Sequence, residues 1–446
     1  MALSIPAGGL KLALAILLAG FFALLAARVS VLSGEPSGWD YFYHERVVSL
    51  SIEQGKLLPF DPLSAGGRTQ TYLPFYYSLI IATSFSTGLS PESLLRAASP
   101  FLFFLAALSI FIFSGRKVSS LLALAVFASF PEILMFAAAS GLPSVASFFP
   151  LALLLASFFS EGKGLGFPLA LLLSIEVGEF HLLSALVLAL FSAANFIFRK
   201  NQKALFVSIA GLAIPFAWNK FSTKTVPFWG RAPGLARILD PPFPLHLLLP
   251  AGIILADLAL NWKRKDKLSA AGFLGALILL SFFSPILPSR FVTYLPFALA
   301  LYATTLGSWK WPVCVSLAAL LAVSGAGTAG NLGPIISSED SAAIGWLDEN
   351  ILDSTVVAGH TDLTSVFLLG HSMTIIDGYS EGLADAWARQ EAIRQAYSSG
   401  DFSGLAEKYG AKFVYTNKAE HRFLGETPKL PKNALFDNNY AKILVV

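Results

Sequence analysis

The polar residues best suited to chemistry follow the first apolar stretch of the chain. They are in the run Gly38-Trp39-Asp40-Tyr41-Phe42-Tyr43-His44-Glu45-Arg46. If this run is helical, Asp40 and His44 lie one turn apart on the same face. Carboxylates and imidazoles are the groups that most often move protons in enzymes. From residue type alone, Asp40 also fits a solvated loop carboxylate, and both interpretations stay open at this point.

A second cluster of polar residues interrupts a long apolar run. Glu176, Glu179 and His181 offer two oxygen ligands and one nitrogen ligand within six residues. That donor set suits manganese or zinc. The alternative is a hydrated hairpin tip that caps two helix ends.

Three arginines are candidates for contact with lipid phosphate. Arg290 follows Pro288 at the start of an apolar stretch, where an arginine can reach a lipid phosphate or only snorkel to the interface. Arg231 and Arg237 lie in a basic segment, residues 220–243, which attraction to lipid headgroups also explains.

Composition places these residues in a membrane protein. Of the 446 residues, 55% are hydrophobic and 13% are charged, and the mean hydropathy is +0.65. Soluble domains carry about 25% charged residues, so an ordinary soluble enzyme is excluded, as are disordered and fibrous chains. The net charge of +3 gives no reason to expect a nucleic-acid partner. The single cysteine, Cys314, cannot form an intrachain disulfide.

Charge density divides the chain into two regions. Residues 1–330 carry roughly one charge in ten residues, whereas residues 331–446 carry roughly one in five, which approaches soluble usage. A Gly- and Ser-rich stretch, Ser324–Ser338, separates them. We therefore expect an all-α transmembrane domain over residues 1–330 and a small soluble α/β domain over residues 331–446.

Hydropathy and basic loops predict eleven membrane spans. Nine are apolar stretches of the usual kind: Ala7–Val29, Pro100–Phe113, Ser119–Ala139, Ser144–Phe159, Lys203–Trp218, Leu245–Leu260, Leu268–Phe283, Phe291–Leu306 and Trp311–Gly327. A hairpin over Gly166–Phe198 supplies two more, with Glu176–His181 near its tip. Tyr72–Phe85 is expected to lie at the interface without crossing.

The positive-inside rule then orients the chain in a cell membrane. All short basic loops are cytoplasmic if the N-terminus is inside and the C-terminal domain is outside the cytoplasm. The large first loop, residues 30–99, then also lies outside. A cleaved signal peptide is the rival interpretation of the first span, and it leaves that placement unchanged.

The C-terminal region alternates strand and helix patterns. Strands are predicted at Thr355–Gly359, Met373–Asp377, Ala411–Thr416 and Ala441–Val446. Helices are predicted at Leu383–Tyr397 and Phe402–Tyr409, the second ending at Gly410.

Several motifs together resemble the GT-C superfamily of membrane glycosyltransferases. They are Asp40 just past the first span, His44-x-Arg46, Gly66-Gly67, a Pro-aromatic helix at Pro74, the hairpin tip with His181, and Pro288-Ser289-Arg290-Phe291. The tail segments Trp346–Asn350 and Thr374–Gly378 distantly resemble oligosaccharyltransferase catalytic subunits. The likeness runs nearly end to end.

The resemblance implies a function and roles for these residues. It implies transfer of a sugar from a polyprenyl-phosphate donor, of the dolichyl-phosphate type, to a glycan, lipid or protein acceptor outside the cytoplasm. Asp40 is then the catalytic base or a metal ligand, with His44 and Arg46 in support. Arg290, Arg231 and Arg237 are then candidates for holding the lipid phosphate. A divalent cation such as manganese or magnesium is the implied cofactor.

Two departures from the family pattern keep other functions open. Where oligosaccharyltransferases carry WWDYG, this chain has Ala358-Gly359-His360-Thr361-Asp362, and its second outside loop, residues 139–144, lacks an acidic pair. These departures favour a monosaccharide-type or divergent member over a true oligosaccharyltransferase. They also leave a non-catalytic scaffold or assembly subunit as an alternative. A flippase for lipid-linked sugars is a third hypothesis, although the sequence shows no inverted repeat of broken helices.

Overall fold

The fold is taken from a computed structural model of the chain. It describes residues 7–31, 39–58, 60–61, 65, 68–69, 74–115, 117–139, 143–159, 165–222, 257, 261, 263–283, 291, 293–306, 337–352, 355–359, 368, 372–375, 385–418, 428–431 and 433–446. For Trp39 and Asp40 only the backbone is described.

Helices dominate the described part of residues 7–306. The described helices there are α1 (Ala7–Ser30), α2 (Trp39–Glu53), α3 (Pro74–Thr87), α4 (Pro91–Phe113), α5 (Val118–Ala128), α6 (Pro131–Ala138), α7 (Pro143–Phe159), α8 (Phe167–Phe180), α9 (Leu182–Arg199), α10 (Gln202–Ser222), α11 (Lys265–Phe283) and α12 (Leu295–Thr304). Two short strands, β1 (Phe60–Asp61) and β2 (Arg68–Thr69), pair as a hairpin in the first loop.

A continuous apolar core holds the helical bundle together. Helix α4 packs against α1, α5 and α7, and α12 packs against α5 and α11. Phe127 and Phe148 both contact the ring of Phe297, with centroids 4.9 and 5.5 Å apart. Edge-to-face aromatic contacts of this kind add to the apolar burial that joins α5, α7 and α12.

Proline and local capping set helix limits that hydropathy alone did not predict. The expected span Ser119–Ala139 is wrong as one helix, because it breaks before Pro131 into α5 and α6. Proline lacks the N–H group that a continuing helix needs but suits its first turn. Helix α4 starts nine residues before the expected Pro100, at Pro91, with Ser90 as its N-cap. Pro100 itself lies inside α4.

The described residues contain fewer helices able to cross a membrane than the eleven expected. Three described helices are long and apolar enough to cross a membrane, namely Gly8–Ser30, Pro91–Phe113 and Leu182–Arg199. Shorter apolar helices include α5, α7 and α12, and the expected span Phe291–Leu306 is reduced to the ten-residue α12. Of the expected span Leu245–Leu260 the structure describes only residue 257, and the expected span Trp311–Gly327 lies wholly outside the described residues.

The predicted hairpin over Gly166–Phe198 is present as two helices. Helix α8 ends at Phe180 and α9 begins at Leu182. His181 between them has an extended backbone, with φ −161° and ψ 118°. Its N–H donates to the Val177 carbonyl and its own carbonyl accepts from the Ala185 N–H, so His181 closes one helix and opens the next.

The predicted interfacial helix Tyr72–Phe85 forms as α3. One face is buried through Tyr76, Tyr77 and Ile80. The opposite face is exposed and apolar at Phe75, Leu79 and Phe85. A helix with one face packed on protein and an uncharged apolar face turned outward fits contact with lipid.

The C-terminal region forms a mixed five-stranded sheet with helices. Its elements are α13 (Ser338–Asn350), β3 (Val356–Gly359), β4 (Met373–Thr374), α14 (Ala386–Ser399), α15 (Ser403–Tyr409), β5 (Ala411–Asn417), β6 (Ala434–Asp437) and β7 (Ala441–Val445). The strand order is β4-β3-β5-β7-β6. Strands β4, β3 and β5 are parallel, and β7 and β6 add antiparallel partners. This confirms the small α/β layer predicted for the tail.

Candidate functional site

Helix α2 places Asp40 and His44 as the spacing predicted. The helix begins at Trp39, so Asp40 lies in its first turn and His44 one turn later. The N-terminus of a helix carries a partial positive charge that favours an anion. The backbone of Asp40 therefore lies in the turn where the helix N-terminus favours a negative charge.

His44 is fully buried beneath this turn. Its Nδ1 atom lies 2.9 Å from the hydroxyl of Tyr77 on α3, and its ring contacts Tyr76 edge-to-face. Burial lowers the pKa of His44 to about 3. The imidazole is therefore neutral at physiological pH and positions α2 against α3, and it does not act as a cation near the site.

Tyr41 ties the same turn of α2 to α4. Its hydroxyl accepts a hydrogen bond from Arg96, whose guanidinium also lies over the Tyr41 ring at 5.8 Å from the centroid. Arg96 in turn forms a 3.0 Å ion pair with Glu92 one turn earlier on α4. Burial raises the pKa of Tyr41, helped by the charges of Glu45 and Glu92, so the phenol stays protonated.

Aromatic contacts join α3 to the end of α8. The rings of Phe75 and Tyr76 lie 5.4 and 6.4 Å from the ring of Phe180, the last residue of α8. Tyr76 also contacts His44, so one side chain bridges the first-loop helices and the hairpin junction. Ring pairs at these distances contribute roughly 0.5–1.5 kcal/mol beyond their burial.

A buried hydroxyl network links the hairpin junction to the segment after Arg290. The hydroxyl of Tyr294 lies 3.1 Å from His181 Nδ1 and 2.7 Å from Ser184 Oγ. Ser184 is also within 2.6 Å of Ser147 on α7. Tyr294 precedes α12 by one residue and follows Arg290 by four.

The structure therefore joins three predicted parts of the site. Contacts run from His44 through Tyr76 and Phe180 to His181 and Tyr294. Arg46 lies half-buried on α2. Arg290, Arg231 and Arg237 lie outside the described residues, so their part in the site remains a prediction.

The predicted metal ligands are not gathered into a metal site. Among the described residues, no group of three His, Cys, Asp or Glu side chains is placed to hold an ion. Glu176 and Glu179 belong to α8. The backbone of His181 is extended, so its side chain does not continue the helical spacing of the two glutamates, and its Nδ1 lies 3.1 Å from the hydroxyl of Tyr294. The described structure favours the alternative reading, a helix junction.

The tail meets the first loop directly. Ile344 of α13 belongs to the same buried cluster as Tyr43, Tyr76 and Tyr77. Ala65, from the tip of the β1–β2 hairpin, donates its N–H to the Thr374 carbonyl of β4 at 2.8 Å. The tail therefore packs onto the segment that carries Asp40.

Sequence reasoning missed several residues that build this site. Tyr77, Arg96 and Ser184 have partners 33, 55 and 110 positions away, and no local pattern announces them. Helix α13 was also missed, although Ser337 and Asp340 form its capping box with the spacing that marks a helix start.

Comparison with known proteins gives the fold a name. No family model matches the chain, and no curated protein sequence matches it. Among solved structures, it is similar to the archaeal oligosaccharyltransferase AglB from Archaeoglobus fulgidus, in complex with an inhibitory peptide and a dolichol-phosphate. That match has a TM-score of 0.64 and 13% identity and covers 92% of this chain and 70% of AglB.

The second similar structure is ArnT from Cupriavidus metallidurans bound to undecaprenyl phosphate. The TM-score is 0.61 at 11% identity, over 98% of this chain and 97% of ArnT. The chain shares its fold with these structures, which are GT-C glycosyltransferases. A further structure of the A. fulgidus oligosaccharyltransferase, in complex with zinc and sulfate, matches with a TM-score of 0.62 and 15% identity over 90% of this chain and 68% of that one.

The GT-C fold confirms the distant resemblance inferred from sequence. The chain has an apolar helical bundle and a small C-terminal sheet, and its similarity to ArnT extends over nearly the whole of both chains. At 11–15% identity, this likeness establishes the fold, and the activity and its residues rest on further argument.

The buried state of His44 predicts a pH-dependent stability. Its pKa is about 3 when folded, against about 6.5 in an unfolded chain, so the unfolded state binds the extra proton between these values. This contribution to stability is complete above pH 6.5 and is lost as the pH falls towards 3. We expect the apparent Tm in detergent to fall less between pH 7.5 and pH 5 in His44→Gln than in the wild type. Identical pH profiles would contradict the buried neutral imidazole.

Proposed function

We propose that this protein is an integral-membrane glycosyltransferase that uses a polyprenyl-phosphate-linked sugar as donor. The observation that carries the proposal is the convergence, within a GT-C fold, of helix α2, the α8–α9 junction and Tyr294. Two of the similar proteins, AglB and ArnT, were solved with dolichol-phosphate and undecaprenyl phosphate respectively. Those ligands support a lipid-phosphate donor here.

In the proposed reaction Asp40 is the general base. It takes the proton of the acceptor hydroxyl as that oxygen attacks the anomeric carbon of the donor sugar. The bond from the anomeric carbon to the phosphate oxygen breaks, its electron pair stays with the polyprenyl phosphate, and the anomeric configuration inverts. His44, neutral and held by Tyr77, keeps α2 in place, and Arg46 is a further candidate for support on the same helix.

Arg290 is proposed to hold the phosphate of the donor. Tyr294, four residues later, is fixed by His181 and Ser184, so the segment after Arg290 is anchored at the hairpin junction. An arginine fork matches phosphate oxygens in two-point geometry. Arg231 and Arg237 are the alternative cations, and electrostatic support of the leaving group is usually the largest catalytic contribution.

A divalent cation, manganese or magnesium, belongs to the proposal as a cofactor. Glu176, Glu179 and His181 are not gathered to hold it in the described structure. Asp40 is therefore the remaining candidate ligand, and a bound ion would neutralise charge on the leaving phosphate. The oligosaccharyltransferase of A. fulgidus solved with zinc supports a cation in this fold. Adding a chelator to the transfer assay, followed by restoring each metal separately, tests this part of the proposal.

The acceptor is proposed to be a glycan, lipid or protein outside the cytoplasm. The tail packs against the first loop through Ile344 and Ala65, which supports a soluble domain over residues 331–446 on the same side as Asp40. The chain lacks WWDYG at Ala358–Asp362, so the proposal does not extend to recognition of a glycosylation sequon.

The proposed orientation predicts opposite labelling of two exposed positions. In a Cys314→Ser background, Ser338→Cys at the start of α13 is expected to react with an impermeant thiol reagent in intact cells. Lys265→Cys, in the basic cluster at the start of α11, is expected to react only after the cells are opened, because short basic loops stay cytoplasmic. The reverse pattern would place Asp40 on the cytoplasmic side and contradict the topology.

The experiment that tests the function is a transfer assay on a panel of donors. Membranes containing the protein are incubated with radiolabelled sugars on undecaprenyl and dolichyl phosphates, and label is followed into glycan, lipid and protein fractions. We expect transfer from at least one donor. Absence of transfer from every donor, with the protein folded and inserted, favours the scaffold alternative. Movement of intact donor across the bilayer without transfer favours the flippase.

A further inference from the structure

One residue of the first loop lies inside the core of the tail domain. Ala65 is only 5% exposed and belongs to the same apolar cluster as Val356 and Ile375 of the tail. Its N–H donates to the Thr374 carbonyl, so it extends the outer edge of strand β4. An edge strand offers unpaired backbone groups, and here the hairpin tip uses one of them.

Arg389 of α14 secures this insertion from the other side. Its Nη1 donates to the Ala65 carbonyl at 2.7 Å and to the Ile375 carbonyl at 2.9 Å. Its Nε donates to Asp385 at 2.8 Å, and the guanidinium lies over the ring of Tyr409 at 5.3 Å. Arg389 is 8% exposed, so a charged group has been buried with all of these partners around it.

The two contacts described here between the tail and the first loop, at Ile344 and at Ala65, differ in kind. The contact of Ile344 with the aromatic cluster of α2 and α3 is apolar and tolerates sliding. The contact at Ala65 uses directed hydrogen bonds, and Arg389 fixes their distance and angle because its planar guanidinium is held at Nη1 by two carbonyls and at Nε by Asp385. The directed contact therefore sets where the first loop sits relative to the tail.

We propose that Arg389 is a positioning residue that fixes the first loop, and with it helix α2 and Asp40, against the tail domain. Its effect on transfer rests on the proposed function, whereas its effect on the order of the first loop does not. Without the guanidinium, two buried carbonyls lose this donor, and of the hydrogen bonds described at Ala65 only the one from its N–H to Thr374 remains. Helix α2 then samples positions in which Asp40 does not reach the acceptor hydroxyl.

Hydrogen exchange in the full-length protein tests the positioning directly. We expect Arg389→Ala to speed exchange in peptides of α2, residues 41–53, about 10- to 150-fold, the range that follows from losing a charge-assisted hydrogen bond of about 1.5–3 kcal/mol. Strand β5, residues 411–417, is expected to keep its protection. The matched control is Arg394→Ala, since Arg394 lies on the same helix with its side chain 77% exposed and paired to Glu391.

A second variant acts from the loop and leaves the tail sequence intact. Ala65→Pro removes the N–H that is donated to Thr374 and is expected to speed exchange in α2 in the same way. If Arg389→Ala also speeds exchange in β5, the tail itself has loosened, and the Ala65→Pro variant then becomes the test of the proposal. Unchanged exchange of α2 in Ala65→Pro, or in a folded Arg389→Ala, overturns the proposal.

Transfer kinetics give the functional half of the test. We expect Arg389→Ala to lower kcat about 10- to 100-fold with the donor KM unchanged, because a misplaced base slows chemistry without loosening the donor. Arg389→Lys is expected to recover part of kcat, since lysine keeps the charge but lacks the planar set of N–H donors. Faster α2 exchange with normal kcat overturns the role in positioning. A wild type without transfer refutes the proposed function, while the exchange result still decides whether Arg389 fixes the first loop.

Discussion

Asp40→Asn is expected to lower the rate of sugar transfer by about 10²–10⁴-fold, the usual cost of losing a general base. The amide keeps the size of the carboxylate and one acceptor oxygen, but it cannot take up the proton of the acceptor hydroxyl. Because Asp40 lies in the first turn of α2, helix formation is expected to survive the change. Initial rates with saturating donor and acceptor measure the effect, and the elution profile in detergent confirms that the protein is folded.

The matched control for this prediction is Glu53→Gln. Glu53 is an exposed carboxylate at the other end of the same helix, so it loses the same charge without approaching the site. We expect its rate to stay within a factor of about two, as for most exposed substitutions. Activity near wild type in Asp40→Asn would remove the base assignment and leave proton transfer to another group.

Arg290→Ala is expected to raise the donor KM by about 10- to 150-fold. That range corresponds to one charge-assisted hydrogen bond of about 1.5–3 kcal/mol to the lipid phosphate. Arg290→Lys is expected to recover only part of the loss, because a point charge cannot form the two-point contact. Steady-state kinetics at varied donor concentration separate KM from kcat.

Arg28→Ala controls for a general loss of interfacial charge. Arg28 lies exposed in the last turn of α1, the position of an ordinary snorkelling arginine. A fall in kcat with KM unchanged in Arg290→Ala would assign the arginine to the leaving group in the transition state alone. If neither parameter moves, Arg290 is an interfacial anchor, and Arg231 or Arg237 becomes the candidate for the phosphate.

Local signals were sufficient for much of the fold. The hairpin around His181, the short helix α3 and the alternating elements of the tail all follow from apolar length, charge and turn residues. The errors arose where backbone chemistry overrides hydropathy. Pro131 divides one apolar stretch into two helices, and the ten residues of α12 begin after Tyr294 with Pro296 in their first turn.

The site was only partly visible in the sequence because its contacts are long-range. The one-turn spacing of Asp40 and His44 was readable, since a helix fixes it. The partners Tyr77, Tyr294 and Arg389 were not, because each bond depends on how separate elements pack. Strand β6 was missed because it is a largely exposed edge strand without an alternating apolar pattern.

The most direct test of the central claim is the balance of products from a single donor turnover. Protein in lipid nanodiscs is given a labelled polyprenyl-phosphate sugar and acceptor, and both products are measured together with the anomeric configuration of the transferred sugar. We expect one polyprenyl phosphate released for each sugar transferred, with inverted configuration, and almost none of either product from Asp40→Asn in the time that the wild type needs for one turnover. Retained configuration, or equal donor breakdown by wild type and Asp40→Asn, would contradict direct displacement with Asp40 as the base.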